Sequence, residues 1–297
     1  MAREATRPER DQVAGLSPNR ALIYDLMTRA KRFHCPVTSS WQFEVSALEA
    51  AQRATLVAGR PIGITAVMAR ATSLVLARYP HLNRHIFHGL LRTYEVSFAD
   101  ISCNLVVGRR GQGREKILLP LVLEKSDELS ACEIQEVINH HRSAPLEELP
   151  QFAALERVKR LPRFLLRWFS FRVRSSHRAY RQHFGTFGLS SMSATGATAH
   201  ALHTLANTCV AFLIGGVRDA PVVREGELAI GRVLHVACVA DHYLLDGMDV
   251  LQAMRYLGKL LADPARLGLS VPETLPAPAE PLASPSDGSQ AGGASVL

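Results

Sequence analysis

Apolar and polar positions follow two different rhythms in the C-terminal third of the chain. From Leu228 to Ala240 the residues fit the period of two of a strand, and both alternating sets are largely apolar, as in a strand covered on both faces. The next apolar positions recur at helical spacing, at Met248, Leu251, Met254, Leu257 and Leu261. The pattern predicts a core strand that leads into a helix, with DHYLLDG, Asp241 to Gly247, at the turn between them.

The same periodicities predict further elements upstream. Helices are expected at 20–32, with Asn19 as the cap, at 64–79, at 132–141, and from Ser46, where Glu49 would complete a capping box. Strands are expected at 38–45, 93–97, 101–107, 116–123 and 209–217, with a turn region at 222–227. Helices and strands mix without a regular βαβ rhythm, which predicts an α+β fold around a mixed β-sheet.

Composition sets the expected limits of the domain. Residues 1–18 are polar and residues 268–297 are rich in Pro, Ala, Ser and Gly, so both ends are expected to be disordered and one domain is expected over 19–267. Apolar residues make up 47% and charged residues 21%, the balance of a globular protein with a real core. No apolar run approaches the roughly 20 residues of a membrane span, and the N-terminus lacks the apolar centre of a signal peptide.

Five cysteines are scattered along the chain without a CxxC pair. An odd and dispersed set indicates free thiols and argues against a disulfide framework or a zinc site. The sequence therefore predicts a cytoplasmic protein.

Positive charge is concentrated in one segment. The whole chain carries +7, but Arg157 to Arg181 holds nine Lys and Arg and no acid, which leaves about −2 for the rest. Because the basicity is local, it does not predict nucleic-acid binding. Three interpretations of the segment stay open: a helical pair with its arginines in solvent, a site for coenzyme A phosphates, or contact with an anionic membrane or a partner. In the last case the apolar side would be Phe164, Leu165, Trp168, Phe169 and Phe171.

His242 and Asp246 are the first candidates for chemistry, because they lie where a rigid strand stops and the chain turns. A histidine can take a proton near neutral pH, although a lone histidine at a strand end is more often structural. The sequence has no GxxxxGK[ST], HExxH or GxSxG pattern. His200 and His203 have a spacing that suits a metal, but no third ligand is evident, so we interpret them as structural.

Several stretches favour a catalytic role for His242 over a structural one. Together, and in the same order along the chain, they match the motifs of one protein family. They are DHYLLDG, the strand GLSSMS at 188–193, the helix ending in YPHLN at 64–83, KILLPLVL at 116–123, the LLADP that ends the last helix, and the first helix from Arg20. The chain resembles the catalytic domain of the 2-oxoacid dehydrogenase dihydrolipoyl acyltransferases, which shares its fold with chloramphenicol acetyltransferase. The resemblance covers roughly residues 19–265.

The resemblance implies a two-layer α+β sandwich and a homotrimer with active sites between subunits, where the histidine of one chain meets the serine of its neighbour. His242 would be the general base and Ser190 the oxyanion donor, with Ser191 in that role if the register slips by one. Asp246 would orient the histidine loop, with Arg20 as its expected ion-pair partner. Coenzyme A or acyl-CoA would be the co-substrate, a thiol or hydroxyl the acceptor, and no bound metal is expected.

Four departures from the family pattern bear on the acceptor. Tyr243 replaces the arginine that follows the family's histidine, and Ser191 to Ser193 replaces its Asn-Leu-Gly. A helical insertion is expected at 146–184, and no lipoyl or peripheral-subunit-binding domain is expected ahead of residue 19, so this chain should carry no lipoyl attachment site. We therefore expect a stand-alone relative. One interpretation is that it forms the core of a complex whose lipoyl domains are carried by another protein. The alternative hypothesis is a non-catalytic trimeric scaffold built on the same core.

Overall fold

The computed structural model describes residues 24, 28, 33–88, 92–110, 116–159, 161–195, 208–224 and 226–270. Within these ranges the strands are β1 Pro36–Glu44, β2 Arg84–His88, β3 Thr93–Ser97, β4 Cys103–Arg110, β5 Lys116–Leu123, β6 Phe187–Ser191, β7 Val210–Arg224 and β8 Glu227–Asp241. The helices are α1 Ser46–Val57, α2 Ile64–Arg78, α3 Ala131–Ser143, α4 Pro150–Lys159, α5 Arg163–Ser175, α6 His177–Phe184 and α7 Gly247–Ala262.

Six strands form one mixed sheet in the order β1-β8-β7-β6-β4-β5, and β2 and β3 form a separate hairpin. Strands β6 and β7 pair in parallel, as do β4 and β6, whereas the other neighbours are antiparallel. Pro120 lies in the edge strand β5, where its missing N–H leaves no central ladder bond unmade. The predicted α+β fold with a mixed sheet is confirmed.

The main core lies between the sheet and the helices α2 and α7. Alternate residues of the sheet, such as Leu189, Phe212 and Val236, share this core with Met68 of α2 and Met254 of α7. Strand β8 is buried from Val233 to Asp241 on both faces, as the double apolar pattern predicts. The turn that follows β8 therefore starts from a strand that is packed on both faces.

Residues 146–184, the predicted insertion, contain the helices α4, α5 and α6. Tyr180 of α6 is buried and stacks on His85 of the β2–β3 hairpin, with 4.6 Å between the ring centroids. The hydroxyl of Tyr94 in β3 donates to the carbonyl of Ser175 at the end of α5 over 3.0 Å. These contacts anchor the last two helices of the insertion on the hairpin. No helix in the part of the chain that the structure describes is both long and apolar enough to cross a bilayer.

Several local predictions are wrong. The predicted turn at 222–227 is much tighter than expected: β7 continues to Arg224 and β8 begins at Glu227, with Gly226 between them at φ +88°. Ser46 is the first residue of α1 rather than its cap, and the side chain of Glu49 binds Arg232 instead of closing a capping box. The strand β2 was not predicted at all.

Some predictions fall outside the described residues. They are most of the first helix, including Asn19 and Arg20, the tip of the β4–β5 hairpin, His200 and His203, and the tail from 271. Two residues of the first helix, Tyr24 and Thr28, are described, and both are helical.

Candidate active site

The turn after β8 is fixed by backbone hydrogen bonds at both ends. The N–H of His242 donates to the carbonyl of Cys35 over 2.8 Å, and the N–H groups of Leu244 and Leu245 both donate to the carbonyl of Asp241 over 3.0 Å. Helix α7 begins two residues later, after Asp246, whose N–H donates to the carboxylate of Asp249 over 2.9 Å. His242 is thus presented from a short, doubly anchored turn between the core strand and α7.

The ring of His242 has one nitrogen committed and one available. Its Nδ1 lies 2.8 Å from the carbonyl oxygen of Leu245. Because a carbonyl only accepts, Nδ1 must carry the proton in this hydrogen bond, which leaves the lone pair of a neutral imidazole on Nε2. The side chain is half exposed. The ring is therefore held in one tautomer, with Nε2 available as a proton acceptor.

Asp246 does not make that orienting hydrogen bond. Its Oδ1 lies 3.9 Å from Nδ1 of His242, and the side chain is largely exposed. A distance of 3.9 Å is too long for a hydrogen bond, so Asp246 acts on His242 through its charge at most. The group that fixes the ring is the backbone carbonyl of Leu245, which sequence reasoning missed because any residue supplies a carbonyl.

A pocket of about 180 Å³ opens beside His242, between the start of β1 and the start of α7. Its lining is mostly apolar and consists of Val37, Ser39, Trp41, Ala240, His242, Leu245, Asp246, Gly247, Val250 and Leu251. An apolar pocket next to a half-exposed histidine suits a ligand with an alkyl portion and one reactive polar group.

Asp241 ties the turn to the segment before β1, and sequence reasoning missed this contact too. Its Oδ2 lies 2.6 Å from Nδ1 of His34, and its Oδ1 accepts from the N–H groups of Cys35 and Tyr243 over 3.2 Å each. Burial alone would raise the pKa of Asp241, but the hydrogen bond and charge of His34, together with the two backbone N–H groups, bring it below its ordinary value. Asp241 is therefore a buried carboxylate that binds both the residue after His242 and the segment before β1.

His34 in turn borders a cluster of buried rings. It stacks on His85 at 5.5 Å, and His85 stacks on Tyr180 of the insertion. Burial lowers the pKa of His85, and the charge of His34 lowers it further, so that the pKa is about 3. His85 is thus neutral at physiological pH and packs as an aromatic ring.

Ser190 lies far from His242 within one chain. In the sheet it is in register with Leu213 of β7, which is in register with Ala237 of β8. Two strand spacings and the five residues from Ala237 to His242 separate the two residues by roughly 10 Å across the sheet and roughly 17 Å along it. The chain therefore does not bring its own Ser190 and His242 together.

The two candidate serines have different surroundings. Ser191 lies on the same side of β6 as Leu189. Its Oγ shares a hydrogen bond of 2.9 Å with Oγ of Ser193 and accepts one of 3.1 Å from the hydroxyl of Thr65. Ser190 points to the other face, and its hydroxyl has no hydrogen-bond partner among the described residues. Of the two, only the hydroxyl of Ser191 is bound by another described side chain.

The other candidates are three residues that the structure does not describe, and the cysteines. Arg20, the expected partner of Asp246, and His200 and His203 lie outside the described residues, within which no cluster of potential metal ligands occurs. All five cysteines are free thiols. Burial raises the pKa of Cys209, just before β7, and of Cys238 in β8, so these thiols stay protonated and unreactive.

A comparison with known protein families finds a match for the segment that carries this site. The sequence model of the 2-oxoacid dehydrogenases acyltransferase (catalytic domain) matches residues 175–269, about a third of the chain, which include Ser190, His242 and Asp246. This segment carries the signature of an acyltransferase catalytic domain. The predicted resemblance, and with it the prediction of an acyltransferase, is confirmed.

Solved structures extend the likeness to the whole fold. A probable dihydrolipoamide acetyltransferase from Listeria monocytogenes matches at TM-score 0.61 and 16% identity, over 85% of this chain and 94% of that one. Dihydrolipoamide acetyltransferase from Azotobacter vinelandii matches at TM-score 0.64 and 17% identity, over 88% and 95%. The truncated catalytic core of the 2-oxoacid dehydrogenase complex from Thermoplasma acidophilum matches at 0.61 and 18%, over 86% and 99%. At these identities the structures show a shared fold.

Proposed function

We propose that the protein is a coenzyme A-dependent acyltransferase that moves an acyl group between coenzyme A and a thiol or hydroxyl acceptor, with His242 as general base. The observation that carries the proposal is the hydrogen bond from Nδ1 of His242 to the carbonyl of Leu245, at 2.8 Å. It leaves the basic Nε2 free beside an apolar pocket.

The reaction needs a base because a free thiol has a pKa of roughly 8.5 and is mostly protonated at neutral pH. Nε2 of His242 would take the thiol or hydroxyl proton as the nucleophile attacks the acyl carbonyl. The attack places negative charge on the carbonyl oxygen, and the hydroxyl of Ser190, which has no hydrogen-bond partner among the described residues, would donate to it. Collapse of the intermediate would expel the leaving group as a thiolate or alkoxide, and the protonated His242 would return the proton to it.

The separation of Ser190 and His242 supports a site shared between subunits. At roughly 19 Å in one chain, they can act on one substrate only if a neighbouring copy supplies one of them. We propose a homotrimer in which Ser190 of one chain faces His242 of the next, as the family resemblance implies.

The Azotobacter relative supports the choice of residues. Work on its catalytic mechanism concerns a serine, a histidine, and an asparagine four positions after the histidine. Asp246 follows His242 by the same four positions. We propose that Asp246 stabilises the position of the turn and the charge of the protonated histidine, with Arg20 as its ion-pair partner, and takes no proton itself.

The pocket and the cysteines support two further parts of the proposal. The pocket beside His242 would hold the alkyl portion of the acyl group or of the acceptor thiol. Relatives that share the fold are cores of 2-oxoacid dehydrogenase multienzyme complexes, so a lipoyl group on another protein is the first acceptor to test. Five free thiols support a reducing compartment, and we place the protein in the cytoplasm.

The test is the variant His242→Ala, assayed with acyl-CoA and dihydrolipoamide and followed by mass spectrometry of the products. Loss of the base should lower kcat by at least about 100-fold, while sedimentation shows unchanged assembly. The matched control is His183→Ala, because Nδ1 of His183 makes the same 2.8 Å bond to a backbone carbonyl, that of Ala179, outside the pocket. Equal turnover of both variants would refute the mechanism, and assembly without turnover in the unaltered protein would favour the scaffold hypothesis.

A further inference from the structure

One face of helix α5 is apolar and exposed, and acyl transfer gives it no role. Phe164 is 71% exposed and Trp168 is 60% exposed, and Leu161 and Leu165 nearby are also exposed. Phe164, Trp168 and the exposed Arg172 are spaced by four residues, so they form one stripe along the helix. We call these five residues the α5 patch.

The opposite side of α5 is the side that packs on the domain. Val173 is buried, and the carbonyl of Ser175 accepts the hydrogen bond from Tyr94 of the hairpin. Arg174 is half-buried, with its guanidinium 5.9 Å from the ring centre of Phe184. The helix is therefore fixed in a way that leaves the α5 patch facing outwards.

The patch lies in a strongly basic segment of the sequence. Nine Lys and Arg and no acid lie between Arg157 and Arg181. The exposed side chains of Arg157, Arg172 and Arg178 have no carboxylate within 4.0 Å among the described residues, whereas Arg181 is paired with Asp100 at 2.8 Å. Positive charge that no acid of the described chain neutralises is available to an external anion.

We propose that the α5 patch docks the protein on the surface of an anionic membrane. A helix with aromatic and aliphatic side chains on its outer face and arginines around them fits the boundary between lipid headgroups and acyl chains. Tryptophan prefers this depth, and guanidinium groups bind phosphate oxygens in a fork. Helix α5 has 13 residues, so it is about 20 Å long and can lie on a bilayer but not span it.

A second copy of the chain is a poorer occupant of the same face. A symmetric contact through the α5 patch would bring two segments that each carry nine cations and no acid against one another. Coenzyme A alone does not account for the patch either, because its phosphates need the arginines but not the exposed Phe164 and Trp168. An anionic lipid surface uses both the charge and the apolar side chains.

The experiment is flotation of the full chain with vesicles of phosphatidylcholine alone or with 40% phosphatidylglycerol, at low and at high salt. We expect flotation with the anionic vesicles only, weakened by salt because the Debye length shortens. Each exposed arginine should contribute roughly fivefold to the partition coefficient, so Arg172→Glu with Arg178→Glu should lower it by at least about 25-fold. Phe164→Ser with Trp168→Ser should abolish flotation.

The matched control is Leu228→Ser in the β7–β8 hairpin. Leu228 is as exposed as Phe164, but it follows the acidic Glu227 and lies outside the basic segment. Because all the substituted side chains are exposed, thermal melts should show all variants folded. Leu228→Ser should float like the unaltered protein.

Trp168 also gives a direct spectroscopic test. The chain has two tryptophans, and in the Trp41→Phe background Trp168 alone reports. Its emission should shift to the blue with anionic vesicles. No flotation with anionic vesicles, equal flotation with neutral ones, or concentration-dependent self-association that Phe164→Ser with Trp168→Ser removes would each overturn the proposal. His242→Ala should float normally, so the outcome is separate from that of the acyl-transfer test.

Discussion

Asp241→Asn is the substitution that most directly tests how the candidate active site is held. Asp241 is 3% exposed and accepts hydrogen bonds from His34, Cys35 and Tyr243. Asparagine has the same shape, so it creates no cavity. It keeps one oxygen for the two backbone N–H groups but replaces the charged oxygen opposite His34 with an uncharged NH₂.

The magnitude follows from the change of one hydrogen bond. A hydrogen bond to a charged group contributes about 1.5–3 kcal/mol and a neutral one about 1 kcal/mol. Asp241→Asn should therefore lower the free energy of unfolding by about 0.5–2 kcal/mol. Asp241→Ala, which leaves the N–H groups of Cys35 and Tyr243 without an acceptor, should cost about 3–5 kcal/mol.

Urea unfolding at pH 7 and a fixed protein concentration measures this difference, because the apparent stability of an oligomer depends on concentration. The control is Asp219→Asn, which removes the exposed ion pair of Asp219 with Arg232 and should change the free energy by less than about 0.5 kcal/mol. If Asp241→Asn and Asp219→Asn unfold at the same urea concentration, Asp241 does not hold the turn.

The pH dependence has a definite sign. The folded state holds the pKa of Asp241 below its ordinary value, so the unfolded chain binds the proton more readily. The stabilisation is present above about pH 4, the unfolded value, and is lost as the pH falls through the lower folded value. The difference between the unaltered protein and Asp241→Asn should shrink over this acid range.

Two further substitutions test the packing around the site. Gly185→Ala should lower the free energy of unfolding by at least about 3 kcal/mol in urea titrations, because Gly185 has φ +63° and a Cβ there would lie 2.6 Å from the carbonyl oxygen of Ser102. The control is Gly226→Ala, which is also at positive φ but has open space around the new Cβ. It should lower the free energy of unfolding by only about 1–2 kcal/mol. The pKa of about 3 for His85 means that the unfolded state binds the proton better, so stability should fall as the pH drops below about 6.5. His85→Phe should remove about 2 kcal/mol of the loss between pH 7.5 and pH 5, and identical pH profiles would show that His85 is not buried as a neutral ring.

The parts that the sequence predicted well depend on neighbours along the chain. The strand from Leu228 to Ala240 and the following helix appear as periodicities of two and 3.6, so β8, α7 and the place of His242 between them could be predicted. The helix predicted at 132–141 is found as α3, Ala131–Ser143. The family resemblance named Ser190 and Asp246 as partners, and their roles remain proposals.

Local patterns failed where a distant residue offered a better partner. Glu49 has the right spacing to Ser46 for a capping box, but Arg232, 183 residues away, gives it a two-pronged ion pair instead. The turn at 222–227 has loop-like residues, yet pairing between two long strands extends both of them almost to Gly226. Tertiary pairing overrides local preference because it supplies more hydrogen bonds than the local alternative.

The sequence by itself therefore determined the strand, the turn and the helix that carry His242, because each of them is specified by residues a few positions apart. Only the tertiary structure decided what holds the histidine and what it can reach. His34 and Asp241 lie 207 residues apart and meet because β1 pairs with β8. Ser190 stands two strands away from β8, at a distance fixed by sheet order and register, which no local pattern encodes.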